Sequence, residues 1–155
     1  VKVGGNNGPS CGPITDPCGD ISVGIGKAKA AGYASVRVAA GDYTGPVSMQ
    51  SGVAVTGGWS QSFDTQGTFP LTKVTAPDGT LALVFDGVSN AKISGIAFQG
   101  GHDDVRPAAV VVSSSTNVAI GSASASTSTA SRAPEAASRP RSPRADRRTA
   151  TPSCS

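Results

Sequence analysis

The sequence predicts an all-β protein, a solenoid of stacked parallel β-coils. The stretch 81–101, LALVFDGVSNAKISGIAFQGG, alternates short β-branched and aromatic runs with glycine and asparagine turns and leaves no room for a helix. Moving the sequence along itself by 27 residues superimposes Phe85 on Val112, Asn90 on Asn117 and Ile93 on Ile120. Such repetition is typical of solenoids, because a single coil cannot bury its apolar face alone.

A second displacement, of 38 residues, superimposes a further set: Val36 on Val74, Val38 on Ala76, Val55 on Ile93 and Gly57 on Gly95. The two periods differ by 11 residues. The polar stretch 57–70, GGWSQSFDTQGTFP, has the length and composition of a loop that accounts for this difference. Two to three coils are therefore expected between residues 35 and 121.

The stretch 81–101 itself predicts three short strands, marked by Leu81, Leu83 and Phe85, by Ile93, and by Ile96 and Phe98. Asp86-Gly87 also suits the two-residue turn of an antiparallel hairpin, an alternative that the repeats disfavour. Asn90 and Asn117 fall at equivalent turns, where asparagine tolerates a left-handed backbone and can donate its amide to the asparagine of the next coil. The alternative is that each is a turn residue only.

The run 89–98, SNAKISGIAF, resembles the coil motif of right-handed parallel β-helix proteins of the pectin-lyase-like superfamily. The runs 16–21, DPCGDI, and 36–45, VRVAAGDYTG, are similar to the start of many secreted members. The resemblance covers residues 1 to about 121 and implies a right-handed parallel β-helix in a secreted or cell-surface protein. Because the superfamily holds lyases, hydrolases, adhesins and proteins of unknown role, it implies a fold and not an activity.

Residues 1–34 are expected to precede the coils as an edge strand, a loop and a helix. Val1–Val3 predicts the strand, and the Gly/Pro-rich stretch 4–17 predicts the loop. Asp20 predicts a helix N-cap and Gly32 a C′ residue, with apolar side chains on one helix face between them, those of Ile21, Ile25 and Ala28. A helix here is well placed to cover the open end of the solenoid.

The coils are expected over residues 35–121. The first coil predicts strands over 35–39, 47–49 and 52–56, with a turn over 41–45. The second coil runs from Leu71 to Gly101. The third begins at Ala108 and stops matching after Ile120.

Residues 122–155 form a basic Ala/Ser/Pro/Arg tail with a net charge of +4, whereas residues 1–121 carry −1. The tail lacks large apolar residues, so it cannot offset the entropy of ordering and is expected to be disordered. Ala123 and Ala125 stand where the coil motif has an apolar pair. One hypothesis is a frame shift in GC-rich coding sequence, tested by reading the other frames; the alternative is a tail that binds RNA or anionic surfaces.

Cys11 and Cys18 lie seven residues apart in a Gly/Pro-rich segment, which favours a disulfide in an exported protein over free thiols in a cytosolic one. No cysteine pair has the short spacing of a structural zinc site. The chain begins with Val1, which is expected for a processed product whose export signal has been removed.

Trp59 and Phe63 lie in the predicted loop after the first coil and are the candidates for stacking on a sugar ring. The alternative is that both fold back and cover the flank of the solenoid. The resemblance favours this structural role, because a Gly-Gly-aromatic loop is frequent at this place in the similar proteins.

Within residues 1–121, the densest ionisable cluster is GHDDVRP, with His102 as a binding candidate and Asp103, Asp104 and Arg106 as weak catalytic candidates. The resemblance to the pectin-lyase-like superfamily suggests a role for these residues, because its polysaccharide lyases bind calcium through aspartates and use Arg or Lys as the base. Calcium takes 6 to 8 oxygen ligands, and only two carboxylates are adjacent here. A solvated loop or a recognition loop are the alternatives.

These features favour an extracellular or cell-surface module, without catalysis, whose loops bind carbohydrate or a partner. A polysaccharide lyase-like enzyme, or else a glycoside hydrolase, is the second hypothesis, and an inactive truncated or frame-shifted product is the third. The near-neutral charge of residues 1–121 gives no reason to expect nucleic acid there. The sequence contains no run of 18 or more apolar residues, so no membrane span is predicted. No cofactor is expected, except Ca²⁺ for the lyase hypothesis.

Overall fold

The computed structural model describes residues 1–67, 71–100 and 109–121. This part of the chain is strand-rich, with one short helix and ten strands in three parallel sheets. In chain order the elements are α1 (Ile21–Ala30), β1 (Ser35–Ala39), β2 (Gly41–Thr44), β3 (Val47–Ser48), β4 (Ala54–Trp59), β5 (Thr72–Thr75), β6 (Leu83–Asp86), β7 (Ser89–Ser94), β8 (Ile96–Gln99), β9 (Val110–Ser113) and β10 (Thr116–Gly121).

The strands enter the three sheets in a fixed rotation. The first sheet has the order β1-β4-β7-β10, the second β2-β5-β8 and the third β3-β6-β9. Every neighbouring pair in these sheets is parallel. The antiparallel hairpin at Asp86-Gly87 is wrong, because β6 and β7 on either side of it belong to different sheets. The three strands predicted within 81–101 are β6, β7 and β8.

The register of the sheets agrees with part of the sequence repeat. Val55 pairs with Ile93, Phe85 with Val112 and Ile93 with Ile120, as predicted. Val36, however, pairs with Val55 and not with Val74. Val74 belongs to the second sheet, between Tyr43 and Phe98. The displacement of 38 residues therefore aligned residues of two different sheets in this part of the chain.

Two local predictions also need correction. The turn predicted over 41–45 is largely strand β2, which pairs with β5 and buries Tyr43 as its one apolar side chain. The segment Val1–Val3 is not a regular strand, although Val1 accepts a hydrogen bond from Ala39 N (2.9 Å) at the outer edge of β1. With a single apolar residue to mark it, β2 lacks the alternation that identifies a strand.

Helix α1 has the predicted ends and the predicted buried face. The Asp20 carboxylate accepts a hydrogen bond from Val23 N (3.0 Å), and Gly32 follows the C-cap residue with a φ of +75°. Its buried side chains include those of Ile21, Ile25 and Ala28. They pack against β1 and β3, the first strands of two sheets, so the helix covers that end of the core.

The core lies between the three sheets and is almost entirely apolar. Thr72 is the buried polar residue of the described chain; its hydroxyl donates to Ala39 O (3.2 Å) and accepts from Gly58 N (2.8 Å). At the far end, Val112 and Ile120 are 51% and 43% exposed. They occupy the predicted register but are not fully buried, because no described strand lies beyond β9 and β10.

Asn90 and Asn117 lie at equivalent positions of β7 and β10, with left-handed φ values of +54° and +50°. Asn117 Nδ2 donates to Asn90 Oδ1 at 2.6 Å. The predicted amide contact between successive asparagines is therefore confirmed, and each side chain has both a conformational and a hydrogen-bonding role.

These two roles predict different costs for two substitutions. Asn90→Ala should lower the free energy of unfolding by about 1–2 kcal/mol or more, because it loses the amide contact and retains a costly left-handed residue. Asn90→Gly should lose about 1 kcal/mol or less, since glycine tolerates the backbone. Urea unfolding of both variants measures the difference. Equal losses would contradict the conformational role.

The two glycines inside α1 also predict opposite results. A Cβ on Gly26 would lie no closer than 3.9 Å to another group, Gln50 Nε2, so Gly26→Ala should stabilise the protein by up to ~1 kcal/mol through helix propensity. A Cβ on Gly24 would lie 2.3 Å from Val1 Cγ2, so Gly24→Ala should give no gain or destabilise. Thermal or urea unfolding tests the pair, and equal stabilisation by both would refute the contact.

Tyr43 predicts a loss of stability at high pH. Burial raises the pKa of its hydroxyl to about 12 from an ordinary value of 10.0, and the hydroxyl donates to Ala39 O (3.0 Å). Folding favours the protonated hydroxyl, so Tyr43 adds to the free energy of unfolding. This contribution is complete below pH 10 and is lost as pH rises toward 12. Tyr43→Phe should remove it. Stability curves and the ultraviolet absorbance of tyrosinate measure this, and titration of Tyr43 near pH 10 would contradict it.

Candidate functional site

The candidate site is a polar patch on the outer face of the first sheet, formed by Arg37, Thr56, Trp59 and Ser94; we call it the Trp59 surface. Arg37 lies on β1, Thr56 and Trp59 on β4, and Ser94 at the end of β7. The parallel register aligns Arg37 with Thr56 and Thr56 with Ser94. Side chains alternate along a strand, so Arg37, Thr56 and Ser94 point away from the neighbouring buried positions. Trp59 would share the inward face of Val55 by strict alternation, but the register of β1 and β4 shifts between Arg37 and Ala39, and the indole lies beside Arg37.

Trp59 is held in place at its ring face and at its edge. The Arg37 guanidinium carbon lies 4.2 Å from the centroid of the indole, a cation–π contact. Trp59 Nε1 donates to Thr56 Oγ1 (3.0 Å), and Arg37 Nη1 donates to Phe63 O (3.3 Å). The half-buried indole is therefore preorganised on the sheet surface.

The structure separates the two aromatic residues that the sequence singled out. Trp59 was predicted to lie in a loop, but it is the last residue of β4, and part of its side chain is exposed. Phe63 is 5% exposed with a φ of +60°, so its ring offers no face for a sugar in this structure. Phe63 therefore folds back against the protein, which was the alternative to a sugar-stacking role. His102 lies outside the described residues.

The loop that follows Trp59 is tied to the strands by side-chain hydrogen bonds. Gln61 Nε2 donates to Ala40 O (2.7 Å) and Gln66 Nε2 donates to Gly57 O (2.9 Å). Within the loop, Ser60 Oγ donates to Asp64 Oδ1. Hydrogen bonds from Ser60 and Ser62 lower the pKa of the exposed Asp64 carboxyl to about 2. The loop is therefore ordered beside the indole by defined contacts.

The catalytic candidates Asp103, Asp104 and Arg106 lie outside the described residues, so a lyase-type site there stays a prediction. Within residues 1–67, 71–100 and 109–121, no three His, Cys, Asp or Glu side chains lie close enough together to hold a metal ion. Asp86 Oδ1 accepts a hydrogen bond from Ser113 Oγ (2.7 Å) on the next strand of its sheet. This carboxylate has a structural role between neighbouring strands.

Cys11 and Cys18 form the predicted disulfide, with 4.9 Å between their Cα atoms. Both side chains are buried and belong to the core. Residues 11–18, the disulfide loop, lie next to α1, and Lys27 Nζ donates to Pro9 O (2.8 Å) just before this loop. The disulfide thus closes the loop that precedes α1, and the Lys27 hydrogen bond joins this segment to the helix.

Arg37 and Thr56 were not among the sequence-predicted site residues. Both are outward residues of strands that the sequence did predict, but their contact with Trp59 depends on how β1 and β4 pair. The one available signal was the position of Arg37 between buried Val36 and Val38, which places it on the outer face.

Comparison of this chain with protein-family models, with curated proteins and with solved structures finds no match. The pectin-lyase-like resemblance therefore stays a prediction. In the described part of the chain, the helix is too short to cross a bilayer, and no membrane span is found.

Proposed function

We propose that the chain is a right-handed parallel β-helix module of the pectin-lyase-like type, secreted or on the cell surface, which binds acidic carbohydrate at the Trp59 surface without catalysis. The rotation of strands through three parallel sheets supports the helical path. Parallel strands joined by crossovers are overwhelmingly right-handed, which supports the hand. The coil motif at 89–98 supports the superfamily.

The proposed location outside the cytosol rests on the disulfide. Disulfides form and persist in oxidising compartments and are rare where glutathione keeps thiols reduced. The Cys11–Cys18 bridge is buried within the core and links the N-terminal segment to it. A structural bridge of this kind favours a protein that folds after export.

The observation that carries the binding proposal is the preorganised indole of Trp59 beside polar groups on a sheet face. Aromatic rings offer large apolar area at low entropic cost, and a sugar would pack on the part of the indole that Arg37 leaves exposed. Thr56 and Ser94 supply hydroxyl groups on the neighbouring strands for sugar hydroxyls. Because the indole is already fixed by Arg37, little ordering cost remains on binding.

The charge of this sheet favours an acidic sugar. Its four strands carry two cationic side chains, Arg37 and the exposed Lys92, and no Asp or Glu. Arg37 presents a planar guanidinium, which pairs with carboxylates in a two-pronged geometry. Uronate polymers combine a sugar face with a carboxylate, so they are the ligand class that fits this surface.

Titration with polygalacturonate oligomers tests the proposal directly. Trp59 is the single tryptophan of the chain, so its fluorescence reports sugar stacking. Trp59→Ala should weaken binding about tenfold, equal to about 1.4 kcal/mol, and Trp59→Phe should weaken it less. Lys92→Gln should reduce affinity for uronate oligomers but not for neutral ones.

Leu71→Ala is the control, because Leu71 is 55% exposed but does not belong to the Trp59 surface. Unchanged binding after Trp59→Ala, measured by calorimetry on a glycan bound by the native protein, would rule out this surface. Calcium-dependent release of unsaturated sugars would instead establish the lyase alternative.

A second candidate, a truncated or frame-shifted product without activity, is favoured by the β9–β10 edge. Val112 and Ile120 are about half exposed there, and the described residues 109–121 carry no charge that protects the strand edge from association. Coil-like repeats in another reading frame of the gene would support this candidate, and their absence would count against it.

A further inference from the structure

A cavity of about 680 Å³ lies between the disulfide loop, helix α1 and the outer edge of β1. This volume is within the range of small-molecule sites in proteins. The cavity is separate from the exposed part of the Trp59 surface, although Arg37 lines it as well. Residues from several segments form its wall, among them Pro9, Ile14, Lys27, Tyr33, Val36 and Phe63.

The wall of the cavity is part of the folded core. The side chains of Val36, Cys11 and Cys18 line it and are buried. The disulfide closes the loop on one side, and the hydrogen bond from Lys27 Nζ to Pro9 O (2.8 Å) joins that side to α1. The cavity is therefore preformed, which lowers the ordering cost of binding.

The mouth of the cavity is apolar as well. Ile14 and Tyr33 line it and are 61% and 69% exposed, which makes them the two most exposed large apolar side chains of the described chain. Exposed apolar groups that border a concave site commonly mark a place where a ligand binds.

The charged groups of the cavity have one sign. Lys27 and Arg37 line it, and no Asp or Glu does. An ammonium carries three N–H groups, and Lys27 donates one of them to Pro9 O, so two remain for a ligand. An apolar wall with a cation at one side complements a molecule with an apolar body and a single negative charge.

We propose that this cavity binds a small amphipathic organic anion, an aromatic or alkyl carboxylate or sulfonate. The apolar body lies against Val36 and Tyr33, and the anionic group accepts hydrogen bonds from Lys27. Arg37 borders both sites, but the cation proposed to hold the anionic group, Lys27, is on α1, so Lys27→Gln tests this site without changing the Trp59 surface.

The probe for this proposal is 8-anilinonaphthalene-1-sulfonate, which combines an aromatic body with one negative charge. N-phenyl-1-naphthylamine has the same ring system without the sulfonate. On the full chain, the anionic probe should bind saturably at one site. Lys27→Gln should weaken its binding about tenfold, the value expected for loss of a charged hydrogen bond, and the neutral probe should respond little.

Lys29→Gln is the matched control. Lys29 lies on the same helix, also donates to a backbone carbonyl, Ser51 O (2.8 Å), and does not line the cavity. It should change the affinity less than about twofold. Lys27→Arg, which retains the charge, should retain most of the binding, and octanoate should displace the probe.

Three results would overturn the proposal. Equal effects of Lys27→Gln and Lys29→Gln would show that only net charge matters. Loss of binding in Ile120→Lys would put the probe on the β9–β10 edge. Failure of octanoate to displace the probe would show that the probe is not held at a site for small amphipathic anions. Circular dichroism of each variant shows that it is folded, and Lys27→Arg keeps the test valid if Lys27→Gln does not fold.

Discussion

Rows of apolar side chains run across neighbouring parallel strands of this protein, and each row depends on contact between one residue and the next. In the first sheet the row in register is Val36, Val55, Ile93 and Ile120. Val55 and Ile93, with a neighbour on each side, are fully buried, whereas Ile120 at the edge is about half exposed. Burial of such a side chain contributes roughly 1.5–3 kcal/mol, so each row requires cover at both ends.

The two ends of the rows differ in how far they are covered by other residues of the described chain. Helix α1 covers β1 and β3, and its Ile25 is fully buried in the core. The helix is short and contains two glycines, so packing against the rows stabilises it more than its propensity does. At the other end, the described residues 109–121 leave Val112 and Ile120 accessible. A side chain of a row is therefore fully buried only where a described strand or the helix lies on each side of it.

Side chains fill the space between the sheets, so the two proposed binding sites lie on an outer sheet face and in a cavity at the end of the core that α1 covers. The Trp59 surface lies on one sheet face, where parallel register brings Arg37, Thr56 and Trp59 together. The cavity proposed to bind an organic anion lies at the end of the core that α1 covers, between the disulfide loop and β1. Both have rigid walls, one through the strands and the other through the disulfide. Each carries cationic side chains, Arg37 and Lys92 on the first sheet and Lys27 and Arg37 in the cavity, which is why both proposals name acidic ligands.

The sequence by itself determined the features that depend on local or repeated signals. These are the strand-rich class, the ends and buried face of α1, the three strands between 81 and 101, the disulfide, and the contact between Asn90 and Asn117. Tertiary structure alone decided that Val36 pairs with Val55 and that β2 is a strand, because one apolar residue, Tyr43, marks β2 and its partner β5 is distant in sequence. It also decided that Phe63 is buried while Trp59 remains accessible, since the register of β1 and β4 and the path of the following loop fix both positions. The alternation of apolar and polar residues along a strand can be recognised in the sequence. Which strands lie side by side depends on how the whole chain packs.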